Sequence, residues 1–499
     1  MEKKSVLILG TASHVGKSSI VTAICRLLSR NYKVAPFKAQ NMSLNSWITK
    51  DGKEIGIAQA IQAKAAGVEP TADMNPVLLK PKGDCVSQII LLGEPYADRS
   101  AGQYYDSIAE MNSVLKGALD RLWEKYDIIV MEGAGGAAEI NLYERDIVNI
   151  GTERLTRAPI ILVGDIERGG VFASLYGTFS LLPEDVRKNL KGFIINKFRG
   201  DLEILKPGLK QLEELTGIPV LGVLPYFKLH IPSEDSVSLE DKEEQESEKD
   251  RKGRESGQEK EGKKLEIAVI RLPRISNFTD FEPLEEVAKI RYVDLDAELG
   301  KPDAIIIPGT KNTVNDLLEL KASGLDKKIR AFKGKIPIFG ICGGYQILGK
   351  TIFDSGVENG VESEFEGLGL LDVKTEFGTY AKRTIQVTKT VNAHGPVLAP
   401  LNGEEITGYE IHMGVTESNH PVFGNDGAID ETGLVIGTYL HGLFENRNIR
   451  SALIKYISEK KGLEYRPGEL MTEDEAYEEL ARVVEQNLDM KKLYKILGL

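Results

Sequence analysis

The sequence predicts an α/β protein built as two units, each a largely parallel sheet with helices on both faces. Three observations carry this. Short unbroken Val/Ile/Leu runs recur along the chain, amphipathic stretches separate them, and one highly charged segment divides the series in two. At 499 residues the chain is also too long for one core, so two or three domains are expected.

Upstream of the divide the runs are Val6–Leu9, Val34–Phe37, Ile128–Met131, Ile160–Val163, Phe193–Ile195 and Val220–Leu224. Aliphatic runs this short, without polar alternation, suit strands covered on both faces. Downstream, Ile267–Ile270, Ala304–Ile307 and Ile336–Phe339 repeat the pattern. A more β-rich stretch follows through Thr384–Val387 and Leu434–Leu440. The divide, Glu240–Lys264, contains no apolar residue and cannot bury enough surface to offset its ordering entropy, so it reads as a linker. Near the end, Thr472 is a plausible N-cap, with Glu473 and Asp474 in the first turn of a helix. The expected organisation is therefore a first domain over 1–236, a linker over 237–264, a second domain over 265–465 and a helical tail over 466–499.

Composition narrows the function. Hydrophobic residues make up 41% and charged residues 28%, both close to globular averages. A net charge of -12 argues against nucleic acid as a partner, because phosphate backbones demand a basic face. The absence of a long apolar run and of a signal-like start points to a cytoplasmic protein with no membrane partner. Three scattered cysteines, Cys25, Cys85 and Cys342, form neither a disulfide framework nor a metal-ligand pattern. Oligomeric state is left open.

Directly after the first run comes Gly10-Thr11-Ala-Ser-His14-Val-Gly16-Lys17-Ser18, followed by a helical stretch. Glycines let backbone amides turn towards phosphate oxygens, and the helix N-terminus adds partial positive charge. Gly10, Thr11 and Gly16 thus form a P-loop for ATP. Lys17 would neutralise the outer phosphates and Ser18 would ligate Mg²⁺. The loop has one residue more between its glycines than the usual spacing. Glu132 ends the run Ile128–Met131, where a second Mg²⁺ ligand belongs. Asn196 ends another run, a common place for a side chain that reads a nucleotide base. His14 is expected to make only a local contact.

A second chemistry is written at Pro337-Ile-Phe-Gly-Ile-Cys342-Gly343-Gly344-Tyr345-Gln346, which reads as strand, sharp turn and helix. A thiol on such an elbow is exposed and its nucleophilic form is favoured by the adjoining helix N-terminus. The Gly343 amide can stabilise an oxyanion, and Gly309, in the turn Pro308-Gly309-Thr310, could supply a second donor. His441, just past an extended stretch, is the candidate base. Cys25 and Cys85 have no such setting and read as ordinary residues.

The segment around Cys342 and His441 resembles the class I glutamine amidotransferases, whose fold is flavodoxin-like. The longer P-loop and the Glu132 region resemble the dethiobiotin synthetase group of P-loop NTPase-type enzymes. Fused in this order, the pair is similar to the glutamine-dependent amide synthases of corrinoid biosynthesis. Within them, Pro36-Phe-Lys38-Ala-Gln40-Asn41-Met-Ser43-Leu-Asn45-Ser, Asp73-Met-Asn75-Pro76-Val-Leu-Leu-Lys80-Pro81, Glu139-Ile-Asn141-Leu-Tyr-Glu-Arg145-Asp146-Ile-Val-Asn149, Ser276-Asn277-Phe-Thr279-Asp280-Phe and Gly408-Tyr409-Glu410-Ile-His412-Met-Gly414 point to the branch acting on the b, d, e and g carboxylates.

The resemblance implies glutamine as nitrogen donor and a corrinoid carboxylate, adenosylcobyrinic acid a,c-diamide, as acceptor. It implies Lys38 as the lysine that meets the acceptor carboxylate and Asp146 as a residue that phosphorylates or positions it. Amidation of a carboxylate is uphill in water, so an acyl phosphate made from ATP is expected, attacked by ammonia released at Cys342. The wider amidotransferase pattern has a Glu two residues after the catalytic His; here that position is Leu443. A Cys–His dyad is expected, with Glu410, His412 or Glu445 as possible orienters. Two rivals remain: the sister branch that makes the a,c-diamide, and a P-loop switch ATPase bearing a glutamine-sensing domain.

Overall fold

The computed structural model describes residues 3–83, 86–105, 108–227, 265–378, 382–465 and 471–499. Cys85 and the expected linker 237–264 lie outside the described residues. By packing, the chain forms two units. The first comprises Met1–Ser43, Lys53–Glu234 and Met471–Leu499, the second Leu44–Gly52 and Asp235–Leu470.

In the first unit, β1 (Lys4–Gly10), β2 (Val34–Phe37), β3 (Ile128–Glu132), β4 (Ile160–Asp165), β5 (Leu190–Phe198) and β6 (Val220–Pro225) form one sheet in the order β6-β5-β4-β1-β3-β2. Each pairing is parallel. Successive β1 residues point to opposite faces, so Leu7 and Leu9 enter one apolar cluster while Val6 and Ile8 enter another. That is why the run shows no polar alternation. The sheet sets the carboxyl ends of β1, β3, β4 and β5 side by side.

Helix α1 (Lys17–Ser29) starts at Gly16, whose φ of 93° suits glycine far better than any L side chain. On α1 packs the helix Glu473–Asn487, which starts at Thr472 with the full reciprocal capping box to Glu475. Of the expected tail over 466–499, residues 471–499 therefore belong to the first unit: Leu480, Ala481, Val484, Leu488 and Leu493 join the cluster that holds Val6 and Ile20. Arg26 and Arg30 of α1 pair with Asp474, Glu478 and Glu485 along this seam.

A second, four-stranded sheet of this unit (Gln40–Met42, Val77–Gly83, Val86–Leu91, Glu94–Ser100) is absent from the expected run of strands. Its hairpin turns at Leu92 and Gly93, both at positive φ, and Leu92 gives no turn signature in sequence.

In the second unit β7 (Glu266–Ile270), β8 (Lys289–Val293), β9 (Ala304–Ile307), β10 (Ile338–Ile341), β11 (Ala428–Ile429) and β12 (Val435–Thr438) are ordered β8-β7-β9-β10-β12-β11. All pairs are parallel except β11 with β12. Strand β10 begins after Pro337, two residues later than its apolar run suggests, and extends to Ile341 beside Cys342. A three-stranded antiparallel sheet, Arg383–Thr390, Glu405–His412 and Leu440–His441, completes the site.

Candidate active sites

The P-loop side is built on the ends of β1, β3 and β5. Lys17 Nζ donates to the carbonyls of Ala12 (3.0 Å) and Gly135 (2.8 Å), bending back over the loop. A Cβ at Gly10 would come within 2.9 Å of that Nζ, so the first glycine makes room for the lysine. Thr11 is anchored through its backbone amide to the Val163 carbonyl.

Glu132, 1% exposed, is the hub. Its Oε1 accepts from Ser18 Oγ at 2.9 Å and from Lys38 Nζ at 2.9 Å, and its Oε2 accepts from Gln62 Nε2 at 2.5 Å. Gln62 lies on α2 (Ile57–Ala65), and its Oε1 is buried with no hydrogen-bond partner among the described residues. A hydroxyl, one buried carboxylate and an orphaned amide oxygen form a hard-oxygen donor set. No group of three or more His, Cys, Asp or Glu side chains that could hold a metal occurs among the described residues. This set fits Mg²⁺, which usually takes one or two carboxylates and completes its shell with water and substrate phosphates.

The remaining expected residues of this unit sit close by but in different settings. Lys38 is 3% exposed and held on Glu132. Asn196 donates from Nδ2 to the Val15 carbonyl at 2.9 Å, bracing the P-loop. Asp146 Oδ1 accepts from the amides of Val148 (2.8 Å) and Asn149 (2.7 Å), so in this structure it caps a turn. Asn149 in turn holds Ala134 by both its amide and its carbonyl. The loop after Glu132 is thereby pinned, a role for Asn149 that sequence reasoning missed.

In the second unit Cys342 occupies φ 52° and ψ −109°, a backbone conformation that L residues rarely adopt. The elbow is held by close packing: a Cβ at Gly344 would lie 2.0 Å from the Ile307 carbonyl oxygen, and one at Gly343 2.6 Å from Thr310 Cγ2. The Cys342 amide donates to Thr438 O at 2.8 Å, tying the nucleophile to β12. Gly309 belongs to the same site, since a Cβ there would be 3.2 Å from His441 Cε1.

His441 is 1% exposed, and the Cys342 thiol beside it donates to Ile411 O at 3.5 Å. Its Nδ1 lies 2.7 Å from Asp280 Oδ2, while Asp280 Oδ1 accepts from the Gly442 amide at 2.9 Å. Burial alone would lower the imidazole pKa; the charge and hydrogen bond of Asp280, with the Cys342 contact, outweigh it and raise it to about 10.

None of the three expected orienters makes this bond. Glu410 is engaged by Arg383 and by Lys389 at 2.7 Å. His412 stacks on Tyr439 with centroids 3.6 Å apart, and its Nδ1 lies 3.1 Å from the Gly414 carbonyl. Glu445 lies beside Gly442, within 3.5 Å of where its Cβ would be. Nothing in the spacing of Asp280 and His441, 161 positions apart, signals the pair.

Two family patterns match the chain as contiguous blocks, one on each side of the charged segment. That of the CobQ/CobB/MinD/ParA nucleotide binding domain matches residues 6–236, and that of the CobB/CobQ-like glutamine amidotransferase domain matches residues 266–449. The chain is 81% identical over 499 residues to a protein of Methanosarcina barkeri and 79% identical over 498 residues to one of Methanosarcina mazei, covering 100% of both chains in each case. A protein of Methanocella arvoryzae is 55% identical over 493 residues, covering 98% of both chains. All three carry the name "probable cobyric acid synthase".

Proposed function

The chain belongs to the cobyric acid synthase family, and from that premise we propose that it amidates the b, d, e and g carboxylates of adenosylcobyrinic acid a,c-diamide, using ATP and glutamine. The observation that carries the reading is the Cys342–His441–Asp280 array in a chain that also bears a P-loop. One centre makes a nitrogen nucleophile; the other activates an acid.

At the first centre the Cys342 sulfur attacks the glutamine side-chain carbonyl and forms a thioester. The developing oxyanion is offered the amides of Gly343 and Gly309. The imidazolium gives its proton to the departing ammonia and then, as a base, draws one from the water that releases glutamate. Asp280 keeps the ring oriented and compensates its charge.

At the second centre Lys17 and the P-loop amides bind the ATP phosphates, and Ser18, Glu132 and Gln62 would hold Mg²⁺. When bound, that ion offsets negative charge on the phosphates during phosphoryl transfer. In this reading Lys38 meets the acceptor carboxylate and Asn196 contacts the nucleotide. The acceptor oxygen takes the γ-phosphoryl group, ammonia attacks the resulting acyl phosphate, and phosphate leaves. Asp146 acts through Asn149 by fixing the loop that follows Glu132.

The test is Cys342→Ala, assayed with glutamine and then with ammonium salt, counting added amides by mass. Loss of glutamine-dependent amidation with ammonium-dependent amidation intact is expected, ending at four new amides on the a,c-diamide. Loss of both in a folded protein, or no amide added to the a,c-diamide while cobyrinic acid gains two, would overturn the reading.

A further inference from the structure

The second unit includes a stretch remote from it in sequence. The chain leaves the first unit after Ser43, contributes Leu44–Gly52 to the second, and returns at Lys53. This stretch is built in: Asn45 is 1% exposed, while Ser46 and Ile48 are fully buried. Its backbone is gripped by the three-stranded sheet beside the amidotransferase centre. Gln386 Nε2 donates to Ile48 O at 2.7 Å, and Thr384 Oγ1 donates to Gly52 O at 2.7 Å.

Two short routes lead from it to the catalytic imidazole. Along the first, Asn45 Oδ1 accepts the Phe278 amide at 3.1 Å and the Ser46 amide donates to Asn277 Oδ1 at 3.3 Å. Asn277 is itself at positive φ, 51°, and begins the turn that carries Asp280. Along the second, Tyr409 Oη donates to Ser46 O at 3.0 Å and accepts from Asn277 Nδ2 at 3.1 Å. The same Tyr409 ring lies nearly flat on His441, with centroids 5.3 Å apart and planes 19° apart, and these two residues are register partners. Trp47 is the other ring partner of Tyr409, with centroids 5.1 Å apart.

The imidazole is thus fixed at its Nδ1 by Asp280 and across one face by Tyr409, and residues 45 and 46 secure both supports. We infer that Asn45, Ser46, Asn277 and Tyr409 are positioning residues for glutamine hydrolysis, so that the stretch 44–52 is a working part of that centre and not a connector. The inference rests on the proposed glutaminase role of Cys342 and His441, and it goes beyond that role by placing N-terminal residues in the machinery. A small rotation of the ring would misalign proton transfer between sulfur, imidazole and leaving nitrogen, for which geometry is decisive.

The experiment uses the full chain with Tyr409→Phe, which keeps the stacked ring but removes both hydroxyl bonds, and with Asn45→Ala and Asn45→Asp. Glutamine hydrolysis is measured for kcat, KM and pH profile, and amidation with ammonium salt is measured in parallel. Tyr409→Phe and Asn45→Ala are expected to lower the glutaminase kcat on the order of tenfold. KM for glutamine should change little, the alkaline limb should move to lower pH, and ammonium-dependent amidation should persist. Asn45→Asp retains an acceptor for the Phe278 amide and should recover most of the rate.

A glutaminase kcat and pH profile unchanged in Tyr409→Phe would overturn the inference, as would parallel loss of ammonium-dependent amidation in that variant. The proposed function fails by a separate result, glutamine use that survives Cys342→Ala.

Discussion

Asp280 holds two donors at once, so its removal has consequences at two levels. Asp280→Asn takes away the main charge that keeps His441 protonated, and glutamine hydrolysis should fall by roughly 10²–10³-fold while ammonium-dependent amidation continues. The imidazole pKa lies near 10 in the fold against an ordinary 6.5, so the stabilisation from this pair is complete below about 6.5 and is lost as pH rises through about 10. The gap in Tm between the parent and Asp280→Asn should therefore narrow across that window; a constant gap would refute the assignment. Glu132→Gln offers the opposite dissection. It removes the carboxylate shared by Ser18 and Lys38, so amidation with either nitrogen source should fall at least tenfold while glutamine hydrolysis remains. Cys342, His441 and Glu132 stand at or just past strand ends next to glycine, and Lys17 opens α1 after the Gly-rich loop, patterns that a sequence displays. Asp280 was not legible in this way, since its partner is supplied by tertiary structure; the stretch Ser276–Phe281 stood out only as a family signature.

Elements follow the same division. The strands of both sheets could be read from their aliphatic runs because burial on both faces leaves no polar residue inside them. The sheet that includes Val77–Gly83 and Val86–Leu91 could not, because Lys80, Pro81 and Gln88 interrupt its pattern and a Leu occupies the turn. Around Cys342, the elbow requires glycine where β9 passes closest. Gly344→Ala should displace that contact and abolish glutamine hydrolysis, detectable as a lowered Tm with ammonium-dependent amidation spared. The helix Glu473–Asn487 offers a purely structural test. Leu480, 2% exposed, packs in the cluster with Val6 and Ile20, and Leu480→Ala should cost about 2–5 kcal/mol, read by thermal or denaturant unfolding. A loss below about 0.5 kcal/mol would mean that the helix is not part of that core.

For the molecule as a whole, each unit is assembled from pieces distant in sequence, the first from three stretches and the second from two. A cut anywhere in 237–264 therefore does not yield two self-sufficient halves. Expressed alone, 1–236 lacks the helix that covers α1, and 265–499 lacks Asn45 and Ser46; each should be unstable by thermal unfolding, and joint expression should restore both activities. Contiguous domains were the natural reading of the sequence, because composition marks where a chain changes character and not where it returns. The return has a consequence in time. On the ribosome, the apolar face of α1 is made early and its cover, residues 473–487, only after the second unit. The nascent P-loop sheet must wait, partly uncovered, while the whole amidotransferase unit is translated. Substitutions that weaken the capping box at Thr472 should then lower yield in the cell more than they lower the Tm of the finished protein.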